Sequence, residues 1–389
     1  MKLLILSLYY APDLSAGSFR TTALVAALRQ ACPDLEVTVV TTLPNRYKSF
    51  SRQAPALEQD ERLTVHRVQL PSHQSGMRDQ ARSFLTFARA ARRLTAGQHY
   101  DLVYATSSRL MTAALGAHLS RHLKTPLYLD LRDIFVDTIK DLLPRWAPIA
   151  EPVFGLAERW TVQRARSVNL VSAGFKPYFE PRYPGRRFTY FTNGVDDEFV
   201  SLPVPSVAPA SGRPLSVLYA GNIGEGQGLH AILPELAASM SGVVQFRVLG
   251  DGGRRAALEN ALSNAGVTNV EILPPVAREQ LIAEYQAADI LFLHLNDHAA
   301  FHKVLPSKLF EYAATGKPIW AGIAGYSAQF AASEIDNVAL FAPCDAPAAR
   351  GAFAGLRIEP TDRSGFVDKF ARSTIMKAMA SDILAQMDD

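Results

Sequence analysis

The sequence predicts an α/β protein with two doubly wound parallel sheets, one in each half of the chain. Short apolar runs alternate with helical patterns throughout, which is typical of buried parallel strands joined by helices. A stretch rich in Pro, Ser and Ala at 202–212 interrupts this alternation, and such a stretch favours neither a helix nor an interior strand. With 389 residues, 48% hydrophobic and 20% charged, the chain is long enough for two domains that each bury a core.

The apolar runs give the strands and the domain boundaries. Strands are predicted at 3–8, 36–41, 64–68, 101–105, 126–130, 167–171 and 188–192, and then at 215–220, 244–249, 270–273, 289–293, 318–321 and 338–341. The predicted domains are residues 1–197 and 214–364, joined by a linker at 198–213. A last helical pattern over 365–389 is a candidate for a helix that crosses back to the N-terminal domain.

Composition excludes several classes of protein. The chain has 24 Gly, 24 Pro and only 2 Cys, and it contains no run of 18 apolar residues. Collagen-like, disulfide-framework and transmembrane classes are therefore excluded, and a reducing cytoplasm is the expected compartment. The apolar run at 3–6 is too short for a signal-peptide core, and we expect it to form the first strand.

Positive charge is concentrated in the first half. Residues 1–200 contain 26 Lys and Arg against 18 Asp and Glu, a net +8, whereas residues 201–389 contain 14 against 19, a net −5. Residues 77–95 form an amphipathic pattern whose basic arc spans roughly 100°. Its arginines are Arg78, Arg82, Arg89, Arg92 and Arg93, and the opposite side has Met77, Ala81, Phe84, Ala88 and Ala91. The common explanation of such a basic arc is a helix face that is simply solvated. The functional explanation is that the arc binds an anionic membrane or a lipid diphosphate.

Small and charged residues follow two predicted strands of the first half. Gly17 precedes a helical pattern, where a glycine lets backbone amides approach a ligand, although an ordinary strand-to-helix turn is the preferred explanation of this motif taken alone. Asp130, Arg132 and Asp133 stand where a buried strand ends, and charges there are costly unless paired or used. Two explanations are open at this point. Arg132 forms an internal pair with a carboxylate, or these charged residues contact a ligand directly.

Two glycine-rich turns follow neighbouring strands of the second half. The first contains Gly221, Asn222 and Gly224, and the second contains Gly250, Asp251 and Gly252. Such turns let phosphate oxygens reach main-chain amides that a Cβ would obstruct. The first turn has neither the dinucleotide spacing nor the Lys-Ser/Thr of a P-loop, and a flexible turn is the alternative to phosphate binding. Because both turns lie at the same edge of one predicted sheet, we expect a nucleoside diphosphate there.

The segment 301–319 predicts a helix that begins at Ser307 and ends near Gly316. Lys308 and Glu311 lie one turn apart, where a cation and a carboxylate suit a phosphate and a ribose hydroxyl pair. The alternative is a surface Lys–Glu pair. His294, His298 and His302 recur every four residues, but the apolar run around His294 predicts a strand, so no metal site is expected.

Taken together, these motifs resemble the GT-B family-4 glycosyltransferases, particularly those that build bacterial polysaccharides and O-antigens. The resemblance covers nearly the whole chain. It rests on YYAP at 9–12, DLRD at 130–133, VSAGF at 171–175, NGVD at 193–196, AGNIG at 220–224, QGL at 227–229 and PSKLFEY at 306–312. It implies two Rossmann-like domains facing a cleft, a nucleotide-sugar donor in the C-terminal domain, an acceptor on the N-terminal domain, retention of anomeric configuration and no metal or other cofactor.

Two positions depart from the pattern of that family. Members usually have two glutamates eight residues apart, and here Glu311 matches the second while Lys303 occupies the place of the first. Where many relatives have Arg and Lys for the diphosphate, this chain has Asn222 and Gln227. The resemblance therefore implies that phosphate charge is met by Lys308, by backbone amides and by Arg254 or Lys303.

The resemblance thus implies a retaining, metal-independent glycosyltransferase, and with the basic first half we expect it to be cytoplasmic, peripheral on the inner face of the membrane, and to transfer sugar to a lipid-linked glycan. No nucleic-acid partner is expected. Candidate catalytic residues are Lys308, Asp133 and Lys303. Candidate donor-binding residues are Gly17, Gly221, Asn222, Gly224, Gly250, Asp251, Gly252, Ser307, Lys308, Leu309 and Glu311. Candidate acceptor or membrane residues are Arg78, Arg82, Arg89, Arg93 and Arg132. The alternatives are a nucleotide-sugar epimerase of the same fold and a non-catalytic nucleotide-sugar-binding partner of another transferase.

Overall fold

A computed structural model describes residues 1–13, 15–44, 53–71, 77–107, 110–137, 147–202 and 212–388. The chain forms two units, Met1–Asn193 with Arg372–Asp389, and Gly194–Ala371. Each unit contains one sheet, so the predicted α/β class is confirmed. Most of the predicted linker falls at 203–211, outside the described residues. Within the described ranges, no helix is both long and apolar enough to span a membrane.

The first unit has an eight-stranded sheet in the order β3-β4-β2-β1-β5-β6-β7-β8. Its strands are β1 (Lys2–Leu6), β2 (Glu36–Thr42), β3 (Leu57–Gln59), β4 (Leu63–Val68), β5 (Leu102–Thr106), β6 (Leu127–Leu131), β7 (Ser167–Leu170) and β8 (Arg187–Thr189). The sequence did not predict β3, because this antiparallel edge strand is fully exposed and has no apolar run. The strand predicted at 188–192 ends at Thr189, since the carbonyls of Phe191 and Thr192 turn away to accept hydrogen bonds from Arg20.

Helices cover this first sheet. In the described ranges they are α1 (Ala16–Ala31), α2 (Met77–Thr95), α3 (Leu110–Leu123), α4 (Ala147–Arg164), α5 (Lys176–Arg182) and, returning from the end of the chain, α14 (Arg372–Asp388). Met376, Met379 and Ile383 of α14 are fully buried against Leu24 and Leu28 of α1. The last helix therefore completes the hydrophobic core of the first unit.

The second unit has a six-stranded parallel sheet in the order β11-β10-β9-β12-β13-β14. Its strands are β9 (Leu215–Asn222), β10 (Val244–Asp251), β11 (Val270–Leu273), β12 (Ile290–His294), β13 (Ile319–Gly322) and β14 (Val338–Phe341). Its helices include α6 (Asp197–Val200), α7 (Leu229–Ser239), α8 (Arg255–Asn264), α9 (Arg278–Ala287), α10 (Ser307–Ala314), α11 (Gly325–Glu334), α12 (Ala346–Phe353) and α13 (Ser364–Phe370). All six strands agree with the predicted apolar runs to within one or two residues at each end.

A buried ion pair joins α1 to the centre of the first sheet. Arg20 donates from Nε and Nη2 to both oxygens of Asp130 at 2.9 Å, and neither side chain is more than 1% exposed. Tyr104 and Asn169 donate to the same carboxylate. Burial would raise the pKa of Asp130, but the charge of Arg20 and the hydrogen bonds from Arg20 and Asn169 hold it below its usual value. Asp130 therefore pairs with Arg20 and not, as one sequence alternative had it, with Arg132.

Replacing Arg20 with Met should reduce the free energy of unfolding by about 3–5 kcal/mol, because it leaves a buried carboxylate without its cation. Urea unfolding followed by circular dichroism measures this. Arg29→Met on the same helix is the control, since its pair with Asp60 is exposed and worth at most about 1 kcal/mol. Equal losses in the two variants would contradict the assignment.

Candidate functional site

The candidate site is built on the carboxyl ends of β9 and β10. These strands pair in parallel to their last residues, so Gly250 lies opposite Gly221 and Asp251 opposite Asn222. The two glycine-rich turns that follow are joined by a backbone hydrogen bond of 2.9 Å from the amide of Ile223 to the carbonyl of Asp251. The predicted convergence of the two turns is confirmed.

Glycine is required where the turns touch. A Cβ at Gly250 would overlap the carbonyl oxygen of Gly221, and one at Gly252 would lie 2.7 Å from the carbonyl carbon of Ile223. At Gly221 an added Cβ would collide with Cε and Nζ of Lys308. The missing side chain at Gly221 therefore makes room for the lysine ammonium at the end of β9.

Asn222 and Gln227 hold the first turn closed. Nδ2 of Asn222 donates to Oε1 of Gln227 at 2.8 Å, and the backbone amide of Gly224 donates to the same oxygen at 3.2 Å. Tyr219 donates to the carbonyl oxygen of Asn222 at 2.6 Å. The two residues that replace the cations of the resembled family thus form a neutral turn.

Lys308 lies in the first turn of α10, which begins at Ser307 after the extended residue Pro306. No hydrogen bond or salt bridge joins its Nζ to any residue in the described part of the chain. Burial lowers the pKa of Lys308; the charge of Glu311 opposes this shift and that of Arg278 adds to it. The ammonium is consequently a half-buried cation without a side-chain partner in the described part of the chain.

Glu311 is 8% exposed and both of its oxygens are held by α9. Arg278 donates from Nη1 to Oε1 at 3.3 Å, and Tyr285 donates to Oε2 at 2.9 Å. Burial would raise the pKa of Glu311, but Arg278, Lys308 and the Tyr285 hydroxyl hold it below its ordinary value. The alternative of a surface Lys–Glu pair is wrong, because Glu311 is buried and its salt bridge is to Arg278.

Other predicted donor residues have different surroundings. Leu309 is fully buried in the hydrophobic core, so its side chain does not line the site. Arg254 forms a salt bridge with Glu225, so the positive charge of Arg254 is compensated by that carboxylate. Lys303 is half-buried in the loop between β12 and α10. Gly17 lies in the first unit, in the first turn of α1, where its carbonyl accepts a hydrogen bond from Thr21.

The predicted acceptor residues all lie in the first unit. Arg132 follows β6 and donates its backbone amide to Ser107, while its Nη1 is buried without a hydrogen-bond partner in the described structure. Asp133 is exposed. Arg82, Arg89 and Arg93 are exposed on α2 as predicted, with Arg92 beside them, and the side chain of Arg78 lies outside the description.

The apolar side of α2 is rotated from the predicted stripe. Phe87 and Ala91 are fully buried, Phe84 and Ala88 are only half-buried, and Ala81 is exposed. The buried row continues with Ser83 and Thr95 at four-residue spacing. Ser83 and Thr95 are polar, so an assignment based on apolar residues could not include them.

His294 is a structural residue at the end of β12. The amide of Cys344 donates to its Nε2 at 2.9 Å, so Nδ1 carries the proton and donates to the carbonyl of Gln227 at 2.7 Å. Burial lowers the pKa of His294 to about 4. Both ring nitrogens are therefore used to hold the glycine-rich turn to the loop after β14. Among the described residues, no group of three potential ligands could hold a metal ion.

Comparison with known proteins identifies the family. A model of the glycosyl transferase 4-like domain matches residues 17–194, and a model of the glycosyl transferases group 1 matches residues 214–356, so that together they cover most of the chain. The chain belongs to the glycosyltransferase family. The glycosyltransferase is also 33% identical over 100 residues to WcaI of Escherichia coli (strain K12), a protein named for colanic acid biosynthesis and glycosyl transfer. That match spans 26% of this chain and 24% of WcaI.

Solved structures show the same fold. The structure of Anabaena HepE in complex with UDP and glucose matches with a TM-score of 0.65 at 16% identity, covering 99% of each chain. WaaG, a glycosyltransferase involved in lipopolysaccharide biosynthesis, matches with a TM-score of 0.62 at 14% identity, covering 97% of this chain and 95% of WaaG. The predicted GT-B fold is confirmed.

Sequence reasoning missed Arg278 and Tyr285, the residues that hold Glu311. They stand 33 and 26 positions before it, and the start of α9 reads as an ordinary charged helix. Their spacing of seven residues places both on one side of α9, two turns apart. That spacing is the only indication in the sequence that the two residues act together, and it does not indicate that they contact Glu311.

The low pKa of His294 should make the fold sensitive to acid. Below pH 6.5 the unfolded chain binds a proton that the folded chain excludes down to about pH 4. Stability is therefore lost as pH falls through this window, with about 2 kcal/mol lost between pH 7 and pH 5. Urea unfolding at both pH values should show this loss in the natural protein and a smaller loss in His294→Gln. Equal losses would contradict the assignment.

Proposed function

We propose that this glycosyltransferase moves a sugar, with retention of anomeric configuration and without a metal ion, from a nucleoside-diphosphate sugar to a hydroxyl of a lipid-linked glycan. One observation carries the proposal. The ammonium of Lys308 lies against Gly221, unpaired within the described chain, one turn from the buried carboxylate of Glu311. A cation and a carboxylate so placed suit a diphosphate and a ribose.

The chemistry requires a stabilised leaving group. As the bond between the anomeric carbon and the phosphate oxygen breaks, its electron pair moves onto the diphosphate, whose charge Lys308 and the turn amides can stabilise. The acceptor oxygen bonds to the same face of that carbon, and its proton passes to the leaving phosphate. Glu311 is held at both oxygens by Arg278 and Tyr285, which suits a hydrogen-bond acceptor better than a nucleophile.

The named relatives support the choice of substrates. HepE was solved with UDP and glucose, so UDP-sugars are the first donors to test here. WcaI and WaaG are named for colanic acid and lipopolysaccharide biosynthesis, which supports a role in cell-surface polysaccharide synthesis, including O-antigen. The neutral turn of Asn222 and Gln227 leaves Lys308 as the principal cation proposed for the diphosphate, with Lys303 and Asp133 as further candidates for catalysis.

Replacing Lys308 or Glu311 with Ala should weaken nucleoside-diphosphate binding more than tenfold, or about 1.4 kcal/mol, because each removes a group that contacts the donor. Isothermal titration calorimetry with UDP, GDP and ADP measures this. Lys369→Ala and Glu334→Ala are the controls, since these residues form an exposed pair in the same unit. Unchanged affinity in folded Lys308→Ala and Glu311→Ala proteins would refute the assignment.

The reaction is tested by incubating a panel of nucleotide sugars with a bacterial lipid extract and following donor and product by mass spectrometry. Transfer of sugar to lipid is the expected result. Conversion of the donor without an acceptor would favour the epimerase instead. Tight donor binding without any turnover would favour a non-catalytic binding partner.

We further propose that the exposed face of α2 docks on an anionic membrane, which would place the enzyme at the inner surface of the cell membrane. Arg82, Arg89 and Arg93 are exposed, and Leu85 is 49% exposed in the same arc. An apolar residue among arginines suits an interfacial helix, where the leucine enters the acyl boundary and the arginines meet lipid phosphates. Arg132, after β6, is retained as a candidate for acceptor binding.

Substituting Arg78, Arg82, Arg89 and Arg93 together with Ala should nearly abolish binding to vesicles containing phosphatidylglycerol, since each cation near an anionic surface contributes about 1 kcal/mol. High salt should mimic the variant, because it screens the attraction. Vesicle sedimentation measures both effects, with Arg29→Ala/Arg62→Ala, two exposed and paired arginines of the same unit, as the control. Equal sedimentation of natural and quadruple-variant proteins would show that this face is merely solvated.

A further inference from the structure

Arg278 makes salt bridges to three carboxylates with one guanidinium group. Its Nη2 donates to Asp196 at 2.7 Å, its Nε to Glu198 at 3.0 Å and its Nη1 to Glu311 at 3.3 Å. The side chain is only 14% exposed and lies over the ring of Phe199, with 4.7 Å between guanidinium carbon and ring centre. A planar fork with five N–H donors can make such divergent bonds, whereas a lysine ammonium cannot reproduce them.

One helix controls the orientation of the Glu311 carboxylate. Arg278 and Tyr285 both lie on α9, and each occupies one carboxylate oxygen. Tyr285 is itself fixed, because it is fully buried between the rings of Phe199 and Tyr312. A carboxylate oxygen can accept two hydrogen bonds, so each oxygen retains one position for a hydroxyl of a ligand.

The other two carboxylates belong to the place where the chain enters the second unit. Asp196 and Glu198 follow directly after the boundary between Asn193 and Gly194. The adjacent Val195 donates its amide to the carbonyl of Phe370 at 2.7 Å and forms a bridge with Ala371, where the chain leaves this unit again. The guanidinium thus connects Glu311 to this entry segment, residues 194–198, which is itself bonded to the residues where the chain leaves the unit.

We propose that Arg278 is a positioning residue that orients Glu311 for the ribose hydroxyl pair of the donor, and that Asp196 and Glu198 in turn hold Arg278 in place. This inference rests on the proposed donor site. Without the arginine, three carboxylates would face one another in a partly buried cluster, and Glu311 would lose the partner that fixes one of its oxygens. The entry segment of the second unit is therefore part of the machinery that recognises the nucleoside.

The test compares ribose with deoxyribose recognition. Calorimetry gives the affinity of the natural protein for whichever of UDP, GDP and ADP binds best, and for the 2′,3′-dideoxy analogue of that nucleotide. The ratio of the two affinities reports the hydroxyl contacts of Glu311. In Arg278→Lys, which keeps the charge but not the fork, we expect the affinity for the ribonucleotide to fall about tenfold and the ratio to fall toward one. The affinity for the dideoxy analogue should change little.

The milder variant Asp196→Asn/Glu198→Gln keeps Arg278 and should lower the same ratio by a smaller factor. Arg247→Lys is the matched control, because Arg247 also pairs with two glutamates, Glu271 and Glu284, on the same unit; its ratio should not change. A role in stability alone would lower the melting temperature of Arg278→Lys and leave the ratio intact.

The outcomes separate this inference from the proposed function. If the natural protein binds none of the three nucleotides, the donor site itself is refuted. If it binds and prefers ribose, but Arg278→Lys keeps that preference, positioning by Arg278 is refuted while the donor site stands. If only the Asp196→Asn/Glu198→Gln variant keeps the full preference, the role assigned to the entry segment is refuted.

Discussion

The close approach of two backbone turns is the constraint on which the second unit depends. β9 and β10 remain paired to their last residues, and the carbonyl of Gly221 comes so near to Gly250 that position 250 does not admit a Cβ. Side chains are thereby excluded from the junction of the turns, and the space beside Gly221 is occupied by the ammonium of Lys308. Glycine here serves packing first, and the surface that it leaves is what a phosphate would meet.

Charge in this unit is arranged by pairing. Asn222 and Gln227 satisfy each other, Arg254 is neutralised by Glu225, and Arg278 is surrounded by carboxylates. Each of these groups has a side-chain partner within the fold. In the described part of the unit, by contrast, no side chain pairs with the ammonium of Lys308. This contrast distinguishes Lys308 more clearly than its position on a helix does.

The sequence predicted what depends on local pattern. Apolar runs located nearly all of the strands, because a parallel strand buried on both faces needs an uninterrupted hydrophobic segment. It could not predict β3, which is exposed, or the ion pairs of Arg20 with Asp130 and of Arg278 with Glu311, which join residues 110 and 33 positions apart. Leu309 was assigned to the site from its place in a motif, yet its side chain faces the core. Spacing along a chain fixes neighbours on one element, and only packing of the elements brings distant charges together.

The return of α14 to the first unit has a consequence for biosynthesis. Residues 194–371 are continuous in the chain, so the second unit can bury its core as soon as its last strand and helices have left the ribosome. The sheet of the first unit is made earlier but lacks Met376, Met379 and Ile383 until the second unit has been translated. The apolar surface beside α1 therefore remains uncovered while residues 194–371 are synthesised. The unit whose sheet is translated first thus cannot complete its core until the second unit has been translated.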